Sequence, residues 1–215
     1  MAELDLKALR RSYTKESLSK EDVASSPLVQ FKTWFDEAVN SEVLEPNAMT
    51  LATADAEGRP SARTVLLKEL DASGFVFFTN YESKKGKDMA ANPAVSLLFT
   101  WLELERQIRI DGRVERITAE ESRTYFQSRP KSSQMGAWAS PQSRVIQSRH
   151  ELEHQLENLA IKYAEEEVLP LPAFWGGYRV IPHTIEFWQG RESRLHDRIQ
   201  YRLTETGWQI DRLAP

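Results

Sequence analysis

From Arg106 to Ile117 the sequence RQIRIDGRVERI alternates strictly, with Ile108, Ile110 and Val114 on one side and Arg109 and Arg113 on the other. A period of two belongs to a strand with one face buried and one wet, and a helix does not satisfy it. Further short runs rich in β-favouring residues follow the same logic: MTLATA from Met49, SARTVLLK from Ser61, GFVFFTN from Gly74, AVSLLFTW from Ala94, GYRVIPHTIEFWQG from Gly177, RIQYRL from Arg198 and GWQIDRL from Gly207. Turns ending in glycine punctuate them at Asp55–Gly58, Asp71–Gly74 and Thr204–Gly207. The pattern predicts about eight strands. Tight turns rather than regular helical crossovers join them, which makes a mainly antiparallel barrel with peripheral helices, an α+β protein that is mostly β.

Helices are expected at three places. Pro27 opens an amphipathic one in which Leu28, Phe31, Trp34, Phe35, Ala38 and Val39 fall at helical spacing. Thr118 and Glu121 form a capping box for a short helix through Gln127. Ser140 and Pro141 read as the N-cap and first position of a long helix running to about Glu167. Residues 1–25 are polar and predict a mobile arm, in which Leu4, Leu9 and Tyr13 are able to dock; residues 26–215 then form one domain.

Composition narrows the chemistry. With no cysteine among 215 residues, disulfide scaffolds, thiolate metal sites and Cys nucleophiles are excluded. The net charge of −4 gives no reason to expect general nucleic-acid binding. The charged N-terminus lacks the apolar run of a signal peptide, and no run is long enough to span a bilayer, so a cytoplasmic protein without a membrane partner is expected. Neither a G-x-G-x-x-G turn after a strand nor a P-loop nor G-x-S-x-G occurs. His150-Glu151-Leu152-Glu153-His154 does match the zinc-peptidase pattern H-E-x-x-H. At about 100° per residue, however, the stripe Val145, Leu152, Leu156, Leu159 and Tyr163 lies roughly opposite both histidines. They are expected to face solvent, and no metal site is expected.

Cationic and hydrogen-bonding residues cluster beside predicted strands and helix ends. Arg63 and Lys68 bracket RTVLLK; Lys84 and Lys85 follow Ser83; Arg129, Lys131, Ser132 and Ser133 sit just past a helix; Gln142 and Ser143 begin the long one. Singly, each is what any solvated surface carries. Together they are the parts that hold a phosphomonoester: a guanidinium fork, an ammonium point charge and helix N-terminal amides. Near the C-terminus Trp175 and Trp188 read equally as core. His196, flanked by Arg194 and Arg198, suits a core position or an anion site, and the two guanidiniums would disfavour its imidazolium.

At these residues the sequence resembles the pyridoxamine 5'-phosphate oxidase family. The likeness runs from LRRSY (Leu9 to Tyr13) through RTVLLK, FFTN, LERQ, YF-x-SRP, SQMGAW, PQS and FWGG to RLHDR and the terminal IDRLAP. It implies an FMN-binding split β-barrel and a homodimer with flavin at the subunit interface, the C-terminal part (about 174–215) serving dimerisation and the substrate site. It assigns FMN contacts to Arg63, Thr64, Val65, Leu66, Leu67, Lys68, Phe78, Thr79, Lys84, Lys85, Gln107, Gln142, Ser143, Trp188 and Arg198. The substrate phosphate falls to Lys68, Tyr125, Arg129 and Ser133, while Arg194, Leu195 and His196 lie at the pyridine ring and Arg10, Arg11, Ser12 and Tyr13 form a flap. Arg194 and His196 are the implied catalytic pair, acting while a hydride leaves the substrate's 4' carbon for flavin N5 and O2 becomes hydrogen peroxide. Two positions depart from the pattern: Phe78 stands where relatives often have Tyr, and Lys84 where Arg is common. Another split-barrel flavoprotein, such as a flavin reductase or haem-degrading relative, and a non-enzymatic B6 phosphate carrier remain the alternatives.

Overall fold

The computed structural model describes residues 12–215. Nine strands and five helices follow one another as α1 (Pro27–Asn40), β1 (Ala48–Ala54), β2 (Pro60–Leu66), β3 (Glu69–Asp71), β4 (Gly74–Asn80), α2 (Lys84–Ala91), β5 (Ala94–Trp101), β6 (Arg106–Arg116), α3 (Ala119–Ser128), α4 (Lys131–Ala139), α5 (Arg149–Lys162), β7 (Trp175–Gln189), β8 (Asp197–Thr204) and β9 (Gly207–Leu213). The hydrogen-bonded order is β2-β1-β5-β6-β7-β4-β3, and β8 pairs with β7 and β9. The hairpins β1–β2, β3–β4 and β8–β9 are antiparallel, as their glycine-ended turns require. The expected mostly-β split-barrel architecture is therefore the one observed.

The chain divides into two compact units. The first holds the described residues up to Pro46 with Leu97–Ile110 and His183–Pro215; the second holds Asn47–Ser96 and Asp111–Pro182. In the first, α1 buries Phe31, Trp34 and Ala38, and rings meet edge to face: Phe31 with Phe99 at 5.1 Å, Trp34 with Phe187 at 5.2 Å and Phe187 with Tyr201 at 5.6 Å. Val39, counted above on the apolar face of α1, is half exposed. In the second unit Phe126, Tyr163, Leu169 and Trp175 form a cluster on which Phe78, Tyr125 and Trp138 pack.

Three elements differ from expectation. The long helix starts at Arg149, not Ser140: residues after Pro141 form turns, and Ser143 has φ 69, a left-handed conformation that a helix cannot contain. Val145, assigned above to the buried stripe, is fully exposed, so nothing there rewards a helix. The helix also stops at Lys162, before Glu165, Glu166 and Glu167, whose carboxylates oppose the helix C-terminal dipole. Helix α4 was not foreseen. Its glutamine explains it: buried Gln134 donates Nε2–H to the carbonyls of Gln127 and Arg129, and its Oε1 accepts the Leu169 N–H. The three-residue β3 is too short to show a period. Among the described residues no helix is long and apolar enough to cross a membrane.

Candidate active site

In the second unit, β2, the Leu66–Lys68 link, β4, α2, α3 and the loop after α4 border one cavity of about 290 Å³. Its lining is Thr64, Val65, Leu66, Lys68, Phe78, Thr79, Lys85, Tyr125, Arg129, Gln142 and Trp175. Ten of these are residues to which the resemblance assigns a ligand contact; Trp175, read above as a core position, is the addition. Ser133 shares an adjoining cavity of about 310 Å³ with Arg129, Gln142 and Trp175. One wall is an aromatic slab, with Phe78 stacked on Tyr125 at 3.9 Å and 19° and on Trp175 at 5.4 Å and 13°. The Phe78 position thus contributes a ring face where a hydroxyl is absent. Gln142 binds the slab's edge to the cation side, its Oε1 accepting from Lys85 Nζ at 2.9 Å and Thr79 Oγ1 at 3.2 Å.

The cavity is short of negative charge. Burial lowers the proton affinity of Arg129 and of Lys85, and the Arg63 guanidinium lowers that of Lys85 further. Arg129 lies with its Cζ 4.9 Å over the Trp175 ring, and its Nη1 is buried without a hydrogen-bond partner among the described residues. An orphaned guanidinium nitrogen costs more than a made bond gains, so such a site is completed by a ligand's oxygen. Arg63 and Lys84 are turned away. Arg63 donates to the Leu51 carbonyl at 3.0 Å, to Thr53 Oγ1 at 2.9 Å and to Ser61. Lys84 pairs with buried Asp88 at 3.0 Å. Burial raises the Asp88 pKa, but hydrogen bonds from Lys84 and Thr53 outweigh it and hold the carboxyl below its ordinary value. Leu67 is buried in the core, and its backbone is tied to Asn47, its N–H donating to the Asn47 carbonyl at 2.8 Å and its carbonyl accepting from Asn47 Nδ2 at 3.2 Å. Ser143 is exposed.

The first unit carries a second cluster. Tyr13, Trp188 and His196 form a triangle of rings with centroids 5.8, 5.7 and 4.6 Å apart. The Arg191 N–H donates to His196 Nδ1 at 3.1 Å. That bond leaves the imidazole proton on Nε2, as a donor. Burial and then the Arg194 charge lower the His196 pKa; the sequence suggested this for both flanking arginines, but Arg198 is engaged elsewhere. Arg198 instead grips buried Glu186 at 2.7 and 3.1 Å, and Arg109 donates to the same carboxylate at 2.8 Å. Arg194 and Leu195 are exposed, and Arg194 has a left-handed backbone with φ 63. Gln107 is half-buried and Ser12 exposed, whereas Arg10 and Arg11 lie outside the described residues.

His150 and His154 are exposed on α5, as expected, and no group of three or more His, Cys, Asp or Glu side chains among the described residues is arranged to hold a metal. Asp88 and Glu186 escaped the sequence reading because an acidic residue in a strand or helix looks solvated until its buried partners are known.

The family model described as "Pyridoxamine 5'-phosphate oxidase" matches residues 35–163, more than half of the chain. The chain belongs to the pyridoxamine 5'-phosphate oxidase family. A second model, "Pyridoxine 5'-phosphate oxidase C-terminal dimerisation region", matches residues 175–215. Relatives named pyridoxine/pyridoxamine 5'-phosphate oxidase include those of Cupriavidus taiwanensis, 58% identical over 208 residues, and Salinibacter ruber, 55% identical over 209; each match covers 96% of this chain and 97% of the relative. Among solved structures, PhzG from Burkholderia lata, in complex with tetrahydrophenazine-1-carboxylic acid, aligns with TM-score 0.87 and 31% identity over 94% of this chain and 99% of its own. The two oxidase family segments divide the site residues: every lining residue of the 290 Å³ cavity but Trp175 lies in the first segment, and Trp175, Trp188, His196 and Arg198 lie in the second.

Proposed function

We propose that this chain is an FMN-dependent, homodimeric oxidase that converts pyridoxamine 5'-phosphate and pyridoxine 5'-phosphate to pyridoxal 5'-phosphate, with O2 as acceptor. The observation that carries the reading is the partnerless Arg129 Nη1 in an aromatic-walled cavity that also presents Lys68 and Lys85. Flat aromatic ligands bearing a phosphate satisfy both halves of that lining. The identity of 55–58% to named relatives over nearly the whole chain supports the B6 phosphates over the tricyclic ligand of PhzG.

Residues for the flavin are present. Thr64, Val65, Leu66, Lys68, Phe78, Thr79, Lys85 and Gln142 offer amides, two ammonium groups and a ring face, with Arg63 and Lys84 behind them on Asp88; Gln107, Trp188 and Arg198 are the further contacts that the family resemblance assigns. FMN supplies the two-electron acceptor that passes electrons to O2 as hydrogen peroxide. The chain supplies placement: Arg129, Tyr125, Ser133 and Lys68 hold the substrate phosphate, and this remote anchoring fixes the ring. His196, neutral and with its proton on Nε2, donates a hydrogen bond to the ring, and the Arg194 guanidinium offsets negative charge there. With the alcohol substrate, O2 becomes hydrogen peroxide as the aldehyde forms; with the amine, one water enters and ammonia leaves.

The test is direct. The purified protein should show a flavin spectrum, and pyridoxine 5'-phosphate should produce hydrogen peroxide and pyridoxal 5'-phosphate in equal amounts. A flavin spectrum without peroxide points to another split-barrel flavoprotein, and a colourless protein that binds pyridoxal 5'-phosphate points to a carrier.

A further inference from the structure

We infer that Glu105 is a positioning residue for substrate binding, its buried carboxylate pinning the N-terminal arm so that Tyr13 is held against Trp188 and His196. The inference rests on the reading above, in which His196 faces the substrate, and on the resemblance that makes Tyr13 part of a substrate flap. Glu105 is 4% exposed and closes the short turn Leu102–Leu104 with φ 56. A left-handed backbone is costly for a residue with a side chain, and glycine or asparagine would adopt it more cheaply. The side chain has a use that glycine cannot serve and that the shorter, neutral asparagine serves more weakly. Its Oε2 accepts the N–H of Thr14 at 2.9 Å and of Lys15 at 3.2 Å.

The main chain of the same residue holds the other side of Tyr13. The Glu105 carbonyl accepts the Gly190 N–H at 2.8 Å and Gln189 Nε2–H at 3.3 Å. Gly190 is where the Tyr13 ring lies so close that a Cβ would sit 2.8 Å from its Cγ. One residue therefore fixes both the segment that carries Tyr13 and the backbone on which Tyr13 rests. Lys15 adds a bond from Nζ to the Glu103 carbonyl. The carboxylate is charge-assisted toward two amides at once, a strength that a neutral amide in its place lacks.

The experiment uses the holoenzyme with Glu105→Gln, Tyr13→Ala and the double variant. Glu105→Gln should raise KM for pyridoxine 5'-phosphate on the order of tenfold while kcat and the FMN dissociation constant stay within about twofold. It should also speed trypsin cleavage within the arm. In the Tyr13→Ala background the same substitution should add nothing, because Glu105 acts through Tyr13. An unchanged KM, additive effects, or an FMN constant that moves with KM would overturn the inference. If Glu105→Gln does not fold, Thr14→Pro deletes one donated N–H from the exposed side, and unchanged KM and cleavage there are equally fatal. A wild-type protein that yields no peroxide defeats the oxidase reading instead, and the cleavage comparison still decides whether Glu105 holds the arm.

Discussion

Arg129 concentrates the site's electrostatics in one side chain. Its buried Nη1 has no partner among the described residues, so Arg129→Met should raise KM for the phosphorylated substrate by about 10- to 100-fold, the worth of a charge-assisted bond, with much less effect on flavin retention. Arg63 sits in a web with Thr53, Ser61 and Asp88, and Arg63→Ala should release flavin, read as loss of the visible spectrum on gel filtration; Arg194→Leu should cut turnover and keep the flavin. His196 gives a pH signature. Burial and Arg194 place its folded pKa below the ordinary 6.5, so the unfolded chain takes up the proton first as pH falls. This site's share of stability is intact above 6.5 and declines below it, and protonation also breaks the Arg191 N–H bond to Nδ1. An NMR titration should place the imidazole below 6.5, and Arg194→Leu should move it up. The residue types around the cavity were readable from the sequence as phosphate chemistry. The direction each side chain takes was not, because Lys84 and Lys85 are neighbours on one turn, and only burial of Asp88 sends Lys84 away from the cavity.

At the scale of elements, local rules held where a side chain acts on its own backbone. The Thr118 capping box is present, Thr118 Oγ1 accepting the Glu121 N–H at 3.1 Å and Glu121 Oε2 accepting the Thr118 N–H at 2.8 Å. Thr118→Ala should cost about 1 kcal/mol, measured by denaturant unfolding. Strand alternation was equally local, and β6 buries Ile108, Ile110 and Val114 while exposing Arg109 and Arg113. Where a distant partner decides, the sequence was silent. Helix α4 exists because Gln134 reaches three backbone groups, and the stretch after Pro141 stays irregular although Ser-Pro is a good helix opening. Gly112 is a similar case: a Cβ there would run into the Ile181 backbone carbonyl. Gly112→Ala should destabilise the protein by about 2 kcal/mol or more, seen as a lower denaturation midpoint.

On the scale of the whole molecule, two aspartates are tied to arginines on other strands, Asp71 to Arg179 and Asp197 to Arg212. Burial raises the pKa of Asp71 and Asp197, yet the hydrogen bonds from Arg179 to the first and Arg212 to the second win, and both carboxyls lie below the ordinary 3.8. Their stabilisation is complete above that value and is lost as pH falls through the folded values, so a pH series of denaturant midpoints should drop steeply in that acid range. The pairing of β4 with β7 has a temporal consequence. Phe75 lies opposite Val180 and Asn80 opposite Trp175, so β4, with Phe75, Val76 and Phe77 all buried, finds that neighbour about 100 residues further along the chain. A ribosome adding about 5–20 residues per second leaves this greasy edge waiting roughly 5–20 s for its partner. Nascent chains that stall before residue 175 are the ones that a chaperone should be found holding.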